Sequence, residues 1–353
     1  MLLGAVYRMY ELLRSLLFLL PPEFSHRFSL RCFDLADTFK LLAPLAPRVA
    51  SQPVTLWGLD FPNPVGLAAG LDKSGDHFNA LGQLGFGFIE IGTVTPRPQP
   101  GNPFPRLFRL PEHQAIINRM GFNNLGVDHL VEQVKKRRYG GILGINIGKN
   151  ASTPVENAAD DYLLALVKVF PYADYVTVNL SSPNTPGLRS LQYGDELRQL
   201  LGKLKSAQAD LSIQHQRQVP LLVKIAPDLT DEEIAGIAGI FKELAIDGVI
   251  ATNTTIRRDA VAGHRYEREN GGLSGAPVRE ASTRVIARLY SHLGEDIPII
   301  GVGGITDGAS AREKIHAGAK LVQLYTGFIY RGPKLITEAA DAIASADRSE
   351  GTG

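Results

Sequence analysis

From residue 54 onward, short apolar runs alternate with longer segments whose apolar residues recur at helical spacing. The runs are NPVGLAAG, FGFIEIGT, GILGINIG, DYVTVNL, PLLVKIA, DGVIATN, IPIIGVGG and AKLVQLYT. They are hydrophobic almost continuously rather than at every second position, as strands buried on both faces of a parallel sheet should be. The segments that follow them, such as TDEEIAGIAGIFKELA and DGASAREKIHAG, read as amphipathic helices. Eight βα units in about 290 residues predict an α/β fold of the TIM (β/α)8 barrel type. An open doubly wound sheet should instead begin with a Gly-rich dinucleotide turn, and no GxGxxG follows the first run.

The first 45 residues follow another pattern. LLGAVYRMYELLRSLLFLL is apolar on most sides, but Arg8, Glu11 and Arg14 interrupt it, so no uncharged run of about 18 residues can span a bilayer. PPEF follows where a secretory signal would place small residues for cleavage. In EFSHRFSLRCFDLADTFKLL, Phe24, Phe28, Leu35 and Phe39 recur at helical spacing, with Arg27, Arg31, Asp34 and Lys40 between them. Two helices with surplus apolar surface predict a hairpin lying in a membrane interface; a cap packed on the main domain is the other reading. The Pro-rich link 43–53 marks the boundary. The expected division is a hairpin at 1–45, a barrel at 46–345 and a flexible tail at 346–353.

A net charge of +1 provides no whole-molecule field to collect nucleic acid, so ligand preference must arise locally. Cys32 is the single cysteine, which excludes an internal disulfide framework and a Cys-rich metal site. The eight histidines show no HxH or HxxxH clustering, and no metal is expected. In a barrel the chemistry sits at the C-terminal strand ends. Here those ends read AAGLDK, EIGT, NIGKN, NLSSPN, KIAP, TNTT, GVGGI and QLYTG, and their amides, hydroxyls, lysines and glycines converge on one face. Two connections, 94–124 with its six prolines and 254–275 with its dense charge, are long enough to predict lids or binding elements.

Gly303 and Gly304, Tyr325 to Gly327, and the LSG of 273–275 suit a phosphate-bearing ligand. Lys224, inside the apolar run LLVKIAP, needs an anionic partner or faces a ligand that becomes negative, as a reduced flavin ring does. Asn146, Asn179, Asn184 and Asn253 come from several strand ends, and their amides match a planar ring edged with alternating N–H and C=O groups. Lys73 and the NRMGF run of 118–122 add positive charge suited to a carboxylate.

AAGLDK, NRMGFNN, NLSSPNTPGLR, KIAPDL, TNTT, GGLSG, GVGGI and LYTG, in this order, resemble the membrane-associated, quinone-dependent class 2 dihydroorotate dehydrogenases over nearly the whole chain. Soluble class 1 relatives use a cysteine base and lack the hairpin, whereas this chain has serine at that position. The resemblance implies oxidation of dihydroorotate to orotate in pyrimidine biosynthesis. Ser182 would take the C5 proton while the C6 hydride passes to N5 of one non-covalently bound FMN, with Thr185 and Phe122 gating or relaying the proton. Substrate would be held by Lys73, Asn118, Arg119, Met120, Gly121, Phe122, Asn179, Asn184, Asn253 and Thr254. FMN would be cradled by Ala69, Gly70, Leu71, Asp72, Lys73, Thr93, Asn146, Asn179, Lys224, Thr252, Gly275, Gly304, Tyr325 and Thr326. His26, Arg109 and Tyr325 would stand where a quinone, the co-substrate, meets the flavin at the end of a tunnel in the hairpin. A serine base, being very weak, implies a rate that rises with pH.

The expected state is a monomer, held peripherally on the cytoplasmic side of a bacterial inner membrane. The hairpin's start at residue 1 favours that location over a mitochondrial inner membrane. Three other readings compete. A 2-hydroxy acid oxidase would need a His/Arg pair at strand ends, and no histidine ends a strand. A Schiff-base lyase on Lys224 would show no flavin absorbance, and a membrane scaffold leaves the polar strand ends unexplained.

Overall fold

The computed structural model describes residues 2–42, 47 and 49–350, with side chains described from 10 to 345 within those ranges. Helices α1 (Leu2–Phe18) and α2 (Pro22–Thr38) form the N-terminal hairpin. Pro21 ends the connection and Pro22 opens α2, where its missing N–H costs nothing. Ser25 Oγ donates to Leu17 O at 2.7 Å and ties the helices together. Part of the link expected to mark the boundary, 43–46 and 48, lies outside the described residues.

The strands then run β1 (Val54–Leu56), β2 (Leu59–Phe61), β3 (Val65–Leu67), β4 (Phe88–Val94), β5 (Leu107–Leu110), β6 (Ala115–Asn118), β7 (Ile142–Ile147), β8 (Tyr175–Asn179), β9 (Leu221–Ile225), β10 (Gly248–Ala251), β11 (Gly272–Gly275), β12 (Ile299–Val302) and β13 (Ala319–Leu324). Eight of them, β3, β4, β7, β8, β9, β10, β12 and β13, close in that order into a parallel barrel, with β13 returning to β3. Seven lie within the eight apolar runs, and β4 overruns its own, FGFIEIGT, by one residue at Val94. The β1–β2 hairpin was not among the expected elements; its Trp57 and Leu59 pack with Phe61 on the barrel interior. The two long connections are not simple loops either. They contribute β5, β6 and β11, which pair antiparallel in the order β11-β6-β5, so chain segments some 150 residues apart form one small sheet (Asn118 opposite Gly272).

The outer helices are α3 (Phe78–Leu81), α4 (Val127–Val134), α5 (Ala158–Val169), α6 (Gly194–His215), α7 (Asp231–Glu243), α8 (Arg279–Leu293), α9 (Gly308–His316), α10 (Thr326–Arg331) and α11 (Lys334–Glu350). Thr230 and Glu233 start α7 with a reciprocal capping box, as Asp307 and Ser310 start α9. Helix α11 continues into the segment expected to be a flexible tail, of which 351–353 lie outside the described residues.

Inside the barrel, side chains two residues apart along each strand make two layers. The lower is apolar, with Phe88, Ile142, Leu222, Ile250, Ile300 and Leu321 around Tyr175. Gly144 makes room for it: a Cβ there would sit 2.1 Å from the Tyr175 ring. The upper layer is polar and buried, with Glu90, Asn146, Thr177, Lys224 and Gln323. The barrel therefore presents a polar floor at its C-terminal mouth.

The hairpin docks beside that mouth. Tyr10 OH and Arg14 Nη1 each donate to α10, at Ile329 O and Tyr330 O, both at 2.8 Å. Glu23 on α2 accepts two bonds from the buried Arg106 guanidinium at 2.9 and 3.2 Å. Among the described residues, no helix is long and apolar enough to cross a membrane.

Candidate active site

The NLSSPNTPGLR loop leaves the end of β8 and folds over the barrel mouth. Asn179 is buried; its Nδ2 donates to Thr93 Oγ1 at 2.9 Å, and its Oδ1 accepts from Ser181 and from Asn253 Nδ2 at 3.3 Å. Ser182 is buried and faces a cavity, with its Oγ accepting from the Asn184 amide at 3.2 Å. Asn184 Nδ2 reaches back to Asn118 O at 3.2 Å. The Thr185 hydroxyl is buried with no hydrogen-bond partner among the described residues. Arg189 clamps the loop by donating to Ser181 O, Asp228 Oδ2 and Thr254 O at 3.1, 2.9 and 2.9 Å.

The cavity floor is the polar layer of the barrel. Lys224 is buried there, and among the described residues it makes no hydrogen bond or ion pair. Burial lowers its pKa, opposed by the Glu90 carboxylate. A buried cation without a direct partner is costly unless a ligand completes it. At the rim, Lys73 Nζ donates to Gly70 O at 2.7 Å. Its pKa falls to about 8 through burial and then the Arg106 charge, against the pull of Glu23 and Asp72.

A third side of the cavity is lined by glycines. Gly275 has φ +94° and a Cβ there would meet Gln114 O at 2.1 Å; Gly304 has φ +75° and a Cβ would meet Arg279 Cα at 2.3 Å. Only glycine fits such backbone, so main chain itself forms the wall beside Tyr325 and Thr326. Tyr325 also lines a second, apolar cavity that runs between α1 and α2, past Leu17, Phe28 and Phe33. His26 and Arg109 border this tunnel. Burial, then the charges of Lys73, His77 and Arg27, pushes the His26 pKa down to about 3, so the ring is neutral. Arg109 donates to Leu17 O at 3.2 Å and to Leu20 O, and lies 4.6 Å over the Phe18 ring.

A model of the family described as Dihydroorotate dehydrogenase matches residues 51–346, the barrel with the small β11-β6-β5 sheet that is its roof. The chain belongs to the dihydroorotate dehydrogenase family. It is 65% identical over 337 residues to a dihydroorotate dehydrogenase (quinone) of Cellvibrio japonicus, covering 96% of this chain and 98% of the relative. It is 63% identical to a protein of the same name from Marinobacter nauticus, covering 95% and 98%. Among solved structures it resembles DHODH from Eimeria tenella in complex with ferulenol, with a TM-score of 0.84 and 38% identity over 94% of this chain and 93% of that one. The hairpin lies N-terminal to the family match, and the coverage of the bacterial relatives shows that they share most of it.

Most of the residues that the family resemblance singled out face the main cavity: Ala69, Gly70, Lys73, Thr93, Asn118, Met120, Gly121, Phe122, Asn179, Ser182, Asn184, Lys224, Thr252, Asn253, Thr254, Gly275, Gly304, Tyr325 and Thr326. Some do not. The Arg119 guanidinium pairs with Glu269 at 2.6 Å and covers the Phe108 ring, so its charge is neutralised on the roof. Asp72 accepts the amides of Asp76 and His77 at 3.0 and 2.8 Å and shapes the loop after β3. Leu71 lines the tunnel. Asn146 stands behind Thr93, bonded to it at 2.6 Å. The sequence reading assigned nothing to Glu90, Gln323, Arg189 or Asp228. Arg189 and Asp228 stood in the quoted motifs NTPGLR and KIAPDL, but their role is visible only once the loops after β8, β9 and β10 meet.

Proposed function

We propose that the chain oxidises dihydroorotate to orotate, a step of pyrimidine biosynthesis, and passes the electrons through FMN to a quinone. The observation that carries this reading is one residue, Tyr325, lining both a polar cavity with a buried, unpaired lysine and an apolar tunnel leading out through the hairpin. A ring bound in the first and a lipid-soluble acceptor in the second would be separated by little more than that side chain. The bacterial relatives bear the quinone-linked name.

FMN suits the residues present. The glycine wall at 275 and 304 admits a phosphate close to backbone, and Lys224 offers its charge to a ring that becomes negative on reduction. When bound, FMN supplies the acceptor for the C6 hydride. The chain's own part is positioning and proton handling. Asn118, Asn184, Asn253 and Thr254 line the cavity and present amide and hydroxyl groups to a cyclic ureide, and Lys73 meets a carboxylate. Ser182 Oγ accepts the C5 proton. A serine cannot keep it, so the hydroxyl must hand it on, and the buried Thr185 hydroxyl, without a hydrogen-bond partner among the described residues, is the group we assign to that relay, with Phe122 in the cavity wall as its gate. At the tunnel, neutral His26, Arg109 and Tyr325 surround the quinone head. The exposed Leu12, Leu16, Leu19, Phe24, Leu35 and Phe39 of the hairpin rest on the cytoplasmic side of the bacterial inner membrane.

The test is a dihydroorotate-to-quinone assay in detergent, with fumarate and NAD offered as competing acceptors. Quinone-dependent orotate formation by a yellow protein is expected. Colourless protein, or turnover supported equally by fumarate or NAD, would overturn the reading.

A further inference from the structure

We infer that Glu90 is a positioning residue that fixes which way the amides of the cavity floor point, and that Gln323 thereby offers its Oε1 as the acceptor for an N–H of the bound flavin ring; this rests on the FMN reading above. Glu90 is fully buried in the upper layer of the barrel, and three donors converge on it: Asn146 Nδ2 at 2.8 Å, Gln323 Nε2 at 2.8 Å and Tyr175 OH at 3.0 Å. Tyr175 keeps its proton, since burial and then the Glu90 charge raise its pKa. An ionised carboxylate only accepts, so each partner must present a donor to it.

The consequence spreads through the floor. With Nδ2 turned to Glu90, Asn146 has Oδ1 left for the Thr93 hydroxyl, which donates to it at 2.6 Å. Having donated, the Thr93 oxygen accepts Asn179 Nδ2 at 2.9 Å. Asn179 Oδ1 is thereby turned toward Asn253 Nδ2, 3.3 Å away. Reversing any one amide would set N–H against N–H or C=O against C=O, so a single carboxylate specifies the polarity of the whole relay. On the other branch, Gln323 has Nε2 held by Glu90, so its Oε1 points away from the carboxylate. That oxygen is buried, has no partner among the described residues, and belongs to a residue lining the cavity. A buried acceptor left unpaired in the cavity floor, in the same layer as the unpaired Lys224 and Thr177 hydroxyl, is what a ligand N–H would complete.

The test uses the full-length chain stripped of flavin and titrated with FMN alone, comparing wild type with Glu90→Gln, Gln323→Leu and the double variant. Glutamine at 90 can donate as well as accept, and so releases the amides to turn. Each single variant is expected to weaken FMN binding about tenfold, the worth of one buried hydrogen bond. The double variant should lose no more than either single one, because both act through one acceptor. The visible absorption band of the bound flavin, which general damage to the fold would leave in place, should shift alike in all three. Additive losses, or unchanged affinity and band in folded variants, would overturn the inference. Should Glu90→Gln fail to fold, unchanged FMN affinity in Gln323→Leu does so alone. Failure of the wild type to bind FMN would instead sink the flavin reading itself.

Discussion

Ser182 illustrates what a residue type says before a structure is known and what it leaves out. Its place in NLSSPN identified it as the candidate base, but its surroundings matter more to the chemistry: a buried hydroxyl whose hydrogen-bond partner is a backbone amide, facing a cavity with no Asp, Glu or His among the described residues that line it. Ser182→Ala should leave FMN bound and reduce the rate of flavin reduction by dihydroorotate about 10²- to 10⁴-fold, the usual worth of a positioned general base. Stopped-flow absorbance checks this, and a normal rate would refute the assignment. Glu90 and Gln323 were illegible for the opposite reason. Each stands inside an apolar run, where a polar residue reads as an interruption, and their partnership exists only because barrel closure brings β4, β7 and β13 together. His26 carries a second residue-scale prediction. Its pKa is depressed, so the neutral ring is retained until pH falls to about 3 and no charge is gained across the working range. The KM for quinone should therefore be flat from about pH 5 to 8, the span in which an ordinary histidine titrates. A titration near the ordinary value that disappears in His26→Asn would contradict the buried environment.

At the scale of elements, the eight apolar runs were sufficient to place the barrel strands, because continuous hydrophobicity is a local signal. The roof was not legible. Its strands are four residues long and depend on pairing Asn118 with Gly272 and Leu107, a match no local pattern encodes. The hairpin helices could be read from spacing, but not their attachment. That attachment turns on Arg106, inside the proline-rich connection, which holds Glu23 by two hydrogen bonds while donating also to Pro100 O at 2.7 Å. Both side chains of this pair are largely buried, so removing one partner leaves an uncompensated charge. Glu23→Ala is expected to destabilise the protein by about 3 kcal/mol in denaturant unfolding. It should raise the KM for quinone more than that for dihydroorotate, since Glu23 anchors α2, which walls the tunnel. Equal effects on both would mean that the pair does not hold the tunnel's geometry.

At the scale of the whole molecule, the proposed function has the two substrates approach from different phases. The polar cavity opens at the barrel mouth, and the tunnel lies between α1 and α2, which are followed directly by Leu19 at 83% and Phe39 at 66% exposure. Neither side chain lines the tunnel or the cavity, so both can be changed without touching either site. Such apolar surface has little reason to face water, whereas a hairpin with no helix, among the described residues, long and apolar enough to cross a bilayer can lie in the interface. Each large side chain buried in lipid contributes on the order of 1.5 to 3 kcal/mol, and an aspartate in its place adds repulsion from an anionic surface. The double variant Leu19→Asp, Phe39→Asp should therefore lose vesicle binding by about a hundredfold or more in a flotation assay. Reduction of the flavin by dihydroorotate, confined to the barrel, should be unchanged. Turnover with a short-chain quinone added in solution should persist, while turnover with a long-chain quinone confined to vesicles should fall in step with binding. If vesicle-confined quinone were still reduced at the wild-type rate, the exposed hairpin face would not be the route by which the tunnel meets its substrate.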